Sequence, residues 1–202
     1  MKMKLMLVSV LLSLGVAVWP AQGAATVTDE VKKIVDEVVR IVSSNELKKP
    51  KNEGKRRAEL KKAIGSIFDY GQMAKLTLGV HWKKCTPAEQ KEFVPLFETL
   101  LENSYATKIE SYNNEKIVYL KETMEGDYAE VKSKVITTKG DEFTLDYRLG
   151  KEGSKWMVHD VVIEGVSLVA NYRSQFNRII QTQGYNELVK KLQTKSAVIK
   201  AL

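Results

Sequence analysis

Cysteine, histidine and proline are scarce in this chain of 202 residues: one Cys, two His and four Pro. A lone thiol, Cys85, excludes an intramolecular disulfide framework, so packing must supply the stability. With only His81 and His159 there is no Cys/His metal spacing. There is also no phosphate-cradling Gly-rich loop and no Gly-x-Ser-x-Gly elbow. His81 and Cys85 stand four apart, a spacing that a helix would turn into a nucleophile beside its base. Gly79 and Pro87 bracket them, so a connecting loop with an inert thiol is the expectation. His159 and Asp160 are adjacent on a predicted strand, and their side chains should point to opposite faces. No catalytic residue, no metal ligand and no cofactor is therefore assigned, and an enzyme has no residues to stand on.

The one long apolar run lies at the start. Lys2 and Lys4 precede an apolar stretch at 5–18, Pro20 breaks it, and Ala21-Gln22-Gly23 offers small residues for cleavage. A span needs roughly 20 apolar residues, so residues 1–23 read as a cleaved signal peptide and the mature chain as exported. Residues 24–202 suffice for a single domain with its own core. The formal charge is +7. A basic excess suits an anionic membrane surface or an acidic partner. Export argues against nucleic acid.

Helical periodicity opens the mature chain. Thr28 is the predicted N-cap of a helix whose buried stripe is Val31, Ile34, Val35, Val38 and Val42. The basic segment 48–57, around Pro50 and Gly54, reads as a solvated connection, or more sharply as a docking surface. A short helix follows to Ile67. Asp69 and Gln72 then resemble a capping box for another, ending near Leu78. The clearest helix begins at Thr86, with Pro87 in its first turn and Glu89 three residues past the cap. Phe93, Phe97, Leu100, Leu101, Tyr105, Ile109 and Tyr112 repeat along it, and Pro95 should bend it.

From Lys116 the period changes to two. Residues 117–122, 128–138, 142–149 and 155–164 read as four strands, with turns at 125–127, 139–141 and 150–154. Short connections imply an antiparallel meander. Ala129, Val131, Ser133 and Val135 share one face, as do Phe143, Leu145, Tyr147 and Leu149, while charged residues alternate with them. Val158 belongs to a fourth strand that Val161-Val162-Ile163 marks as covered on both sides. Ser167 then caps a helix with the stripe Val169, Tyr172, Phe176, Ile179 and Ile180, Gly184 stops it, and 186–202 reads as a last helix. The expected fold is α+β: a four-stranded antiparallel meander covered by amphipathic helices from both ends of the chain.

Two blocks carry a family resemblance. One is Trp156 to Phe176, containing Asp160-Val161, Gly165-Val166-Ser167-Leu168-Val169 and Tyr172-Arg173-Ser174-Gln175-Phe176. The other contains Phe68-Asp69, Met73-Ala74, Leu78-Gly79, Trp82, Thr86-Pro87-Ala88-Glu89-Gln90 and Phe93. The chain thereby resembles the toluene-tolerance (Ttg2/MlaC-type) family of periplasmic phospholipid-binding transport proteins. By pattern alone the apolar stripes are plain core. The resemblance implies instead a deep pocket between sheet and helices, holding phospholipid as cargo.

An exposed acyl chain costs about 0.8 kcal/mol per methylene, so two long chains cost on the order of 20 kcal/mol and must be enclosed. The candidate lining is Phe97, Leu100, Leu101, Tyr105, Ile109, Val131, Val135, Phe143, Leu145, Tyr147, Val158, Val169, Tyr172 and Phe176. Arg173 could meet a lipid phosphate, or pair with Asp160 or Glu164, as such charges more often do. The resemblance further implies a monomeric shuttle between an outer-membrane lipoprotein–porin complex and an inner-membrane ABC transporter with its lipid-binding subunit. Two alternatives stay open: an interaction module with a solid core, and a hopanoid carrier from a branch of the same family.

Overall fold

The computed structural model of the chain describes residues 25–194. The predicted leader and residues 195–202 of the last predicted helix lie outside them. Four helices come first: α1 (Val27–Ser43), α2 (Glu53–Gly65), α3 (Tyr70–Leu78) and α4 (Pro87–Glu110). The sheet follows as β1 (Lys116–Glu125), β2 (Tyr128–Ile136), β3 (Glu142–Glu152), β4 (Lys155–Ile163) and β5 (Val166–Ser167). Helices α5 (Leu168–Gln183) and α6 (Tyr185–Gln193) close the described fold. All neighbouring strands are antiparallel, in the order β1-β2-β3-β4-β5.

The sheet has five strands rather than the predicted four. Glu164 and Gly165 both take positive φ, 50° and 76°, which folds the chain straight back so that Val166 pairs with Ile163 and Ser167 with Val162. Two residues with φ > 0 make the tight hairpin turn that matches strand twist. The turn predicted at 150–154 is likewise shorter. Gly153 supplies a φ of 59°, so only Gly153 and Ser154 separate β3 from β4. The alternation on β2 is as predicted, with Ala129, Val131, Ser133 and Val135 buried on one face.

Local caps explain most helix boundaries. Thr86 and Glu89 form a reciprocal capping box at α4, and the helix continues through Pro95. Asp69 accepts the Gln72 N–H at 2.8 Å to start α3. At α1 the cap is Thr26 rather than the predicted Thr28, because Asp29 reciprocates Thr26 from the third helical position. Thr28 is left to donate its N–H and hydroxyl to Glu122 at 2.7 and 2.6 Å. A bulge between Tyr119 and Lys121 makes that possible, since it shifts β1 so that Glu122 opposes Val131 on the inner face.

The basic connection is also shorter than expected. After a 3-10 turn at Pro50–Asn52, α2 already begins at Glu53. Arg56 is not solvated: its side chain is 14% exposed, ion-paired with Glu110 and donating to the Leu47 carbonyl at 2.9 Å.

Two joints fasten the helices to the sheet. Ile67–Asp69 runs extended beside β4: the Val158 N–H donates to the Ile67 carbonyl at 2.6 Å, and the Asp69 N–H to the Val158 carbonyl at 3.1 Å. The second joint is Asp160, 7% exposed. It accepts the Val169 N–H at 3.0 Å, the Ser167 hydroxyl at 2.5 Å and the Arg148 guanidinium at 3.4 Å. One carboxylate thus serves strand, cap and helix start together. Asp160→Ala should lower stability by about 2–3 kcal/mol, since it leaves a buried N–H unpaired, while Asp160→Asn keeps an acceptor and loses less. Urea unfolding midpoints measure the difference.

Candidate functional site

The buried apolar residues gather into three groups. On the inner face of the sheet, Val131, Tyr147 and Val158 pack with Ala129, Leu149, Val161 and with Val27 and Val31 of α1. A second group lies among the helices, where Phe97, Leu101, Val169, Tyr172 and Phe176 join Met73, Phe93 and Leu188. A third lies between α1 and α2, with Ile109 of α4 packed against it.

The predicted lining residues therefore do not form one surface. Phe97, Tyr172 and Phe176 interlock edge to face, at 5.9 Å for Phe97–Tyr172 and 6.2 Å for Phe97–Phe176. That is the geometry of a solid aromatic core. Leu100 packs on its margin. Tyr105 is the exception on α4, touching both the helical group and the sheet group.

The other predicted residues point to a seam. Leu145 and Phe143 are half-buried on the sheet's inner face, and Val135, buried, pairs across from Phe143. Beside them Tyr119, Ile163, Ile34 and Val35 are also only partly covered, although all pack against the sheet group. Helices α1, α3 and α5 lie on the sheet, whereas α4 packs on α3 and α6. The result is an apolar inner surface that its helical cover does not close.

The tyrosine hydroxyls on this face stay protonated. Burial, followed by the nearby Asp36 charge, pushes the Tyr119 phenol up to about 12. Burial raises Tyr147 further. Such a seam can hold apolar matter, and these phenols supply no acid or base near neutral pH.

The seam also includes residues of α1 and β1 that the predicted lining did not name. Ile34 and Val35 were visible in a helical stripe, but nothing local tied them to the sheet rather than to α2, where Val38 of the same stripe packs. Tyr119 was hidden by the bulge beside it, which interrupts the alternation of β1.

Arg173 pairs with neither Asp160 nor Glu164. The first is held by Arg148, Ser167 and Val169, and Glu164 accepts the Thr144 N–H. Arg173 Nε instead donates to the Leu76 carbonyl at 2.7 Å, capping the end of α3. Its stem crosses Gly79, where a Cβ would sit 3.6 Å away. It borders a cleft of about 320 Å³ with Leu78, His81 and Asn177, and no residue of the sheet lines it.

The His81–Cys85 pair does not converge. His81 Nε2 meets Asn177 Oδ1 at 2.9 Å, while the thiol donates to the His81 backbone carbonyl at 3.4 Å. Burial, then the Glu89 charge, raises the thiol above its ordinary range, which suits an inert side chain.

The sequence profile of the family described as MlaC protein matches residues 32–194. Toluene tolerance protein ttg2D of Pseudomonas putida is 26% identical over 170 residues, covering 83% of this chain and 79% of the relative. The intermembrane phospholipid transport system binding protein MlaC of Haemophilus influenzae is 29% identical over 121 residues, covering 57% of this chain and 56% of the relative. Among solved structures, a phospholipid-binding protein from Ralstonia solanacearum, in complex with a phospholipid, superposes with a TM-score of 0.74. It is 28% identical and covers 83% of this chain and 94% of that one.

The half-covered seam and the closed groups should differ mechanically. Val131→Trp, placed in the packed part of the sheet group, should cost about 1–3 kcal/mol by overpacking. Leu145→Trp, on the seam, should change the urea midpoint little. Equal losses at both sites would show the seam to be closed.

Proposed function

Because this chain belongs to the MlaC protein family, we propose that it is a non-enzymatic phospholipid shuttle. It takes up acyl chains between the inner face of the sheet and the helices α1 and α4. The observation that carries the reading is the seam: Tyr105, Tyr119, Phe143, Leu145 and Ile163 are apolar, face inward and remain partly uncovered. The Ralstonia solanacearum protein, whose fold this chain shares, holds a phospholipid. Shape and apolar surface suffice for such cargo, which accounts for the lack of a polar motif.

In this reading residues 1–23 are a cleaved export signal and residues 24–202 one periplasmic domain, acting as a monomer. No helix among the described residues is long and apolar enough to cross a membrane. The partners are an outer-membrane lipoprotein–porin complex and an inner-membrane ABC transporter with its lipid-binding subunit. The name of the Haemophilus influenzae relative, a binding protein of an intermembrane phospholipid transport system, supports a place in such a system. Arg173, engaged with the end of α3, is given no head-group role.

Native protein purified without detergent should release phospholipid into organic solvent, identified by mass spectrometry. Leu145→Trp should fill the seam and lose most of that lipid while staying folded. A lipid-free extract from the unaltered protein would overturn the reading in favour of a solid interaction module, and a polycyclic extract would point to a hopanoid carrier.

A further inference from the structure

We propose that Asp69, Glu152 and His159 form a binding site for one divalent transition-metal ion of the zinc class. The three residues come from three elements, the cap of α3, the end of β3 and the middle of β4. Each presents one ligand atom, and these atoms lie within 4.8 Å of one another. No sequence spacing could announce such a site, because the fold alone assembles it.

The backbone is shaped to bring His159 there. Arg148 pairs with Asp160 and Leu149 with Val158, so His159 is the extra residue of a bulge in β4. The bulge lays the imidazole across Gly150, where an added Cβ would fall 2.1 Å from the ring's Cε1. Only glycine admits the ring at that position. His159 Nε2 is hidden from solvent, makes no hydrogen bond, and stands 3.8 Å from Asp69 Oδ2 and 3.8 Å from Glu152 Oε1.

Those separations are too long for hydrogen bonds but fit ligation. A tetrahedral zinc ion with bonds of about 2.0–2.2 Å holds its ligand atoms about 3.3–3.6 Å apart, so a shift of a few tenths of an ångström by the half-exposed Glu152 and by Asp69 closes the 3.8 Å separations onto one ion. Asp69 is oriented by its other oxygen, which accepts the Gln72 N–H at 2.8 Å, and by its own N–H on the Val158 carbonyl. Glu152, 52% exposed, gives access from solvent.

One imidazole nitrogen with two carboxylate oxygens suits zinc better than calcium or magnesium, and three protein ligands leave a position for water. The bound ion would clamp the start of α3 to the β3–β4 hairpin.

Tag-free chain stripped with EDTA and titrated calorimetrically with Zn²⁺ should take up a single ion. Saturating Zn²⁺ should raise the melting temperature, as any ligand of the folded state does. His159→Gln and Glu152→Gln should each weaken binding by at least about tenfold, the loss that even an outer-shell change commonly causes. His81→Gln, which alters the other imidazole, should leave the affinity unchanged. Glu152 is half-exposed, so its variant carries the test even where His159→Gln folds poorly. No uptake by the unaltered chain, or uptake insensitive to both ligand variants, would show the three residues to be only an ionic cluster.

Discussion

A sheet with one apolar face cannot remain exposed to water, and the architecture follows from the way this chain covers it. The charged residues of β2 and β3 alternate with Val131, Val135, Leu145 and Tyr147, so only one side needs a roof. Helices from both ends of the chain provide it. They are fastened by Asp160 at one joint and by the Ile67–Asp69 segment at another. Both joints are hydrogen-bonded and therefore directional, unlike the apolar packing they organise. A roof held at fixed points need not press on the sheet everywhere, and the seam lies where it does not.

The division of labour among the aromatic side chains has the same origin. Phe93, Phe97, Tyr172 and Phe176 interlock among the helices, giving the helical layer a core of its own. That layer stays ordered without support from every strand below it. Were its stability to depend on full contact with the sheet, leaving the seam partly uncovered would carry the cost of a cavity.

Much of this was legible beforehand for physical reasons. Alternation along β2 and β3, the Thr86–Glu89 box, the Ser167 cap and the Gly184 stop are local signals, and the structure has each of them. What failed depends on contacts between distant segments. Thr26 replaces Thr28 as a cap while Thr28 turns to Glu122, 94 residues away. The two-residue β5 is too short to show periodicity. The lining divided because a helical stripe shows which residues are buried and not against what: Phe97 and Tyr105 share one stripe, yet only Tyr105 reaches the sheet group. The ion pair expected for Arg173 failed for the same reason, since its partner is a backbone carbonyl on another helix.

The bulge in β1 has a consequence beyond the position of Glu122. β1 is the long edge strand of the sheet, the opposite edge being the two-residue β5, and it presents a row of backbone donors and acceptors that another extended chain could extend into a larger sheet. The irregularity at Leu120, itself 57% exposed, kinks that row, and Lys116 and Lys121 stand charged on either side of it. A long flat edge would invite polymerisation, whereas a kinked and charged one resists it. The bulge and the flanking lysines thereby disfavour pairing of β1 with a second extended chain.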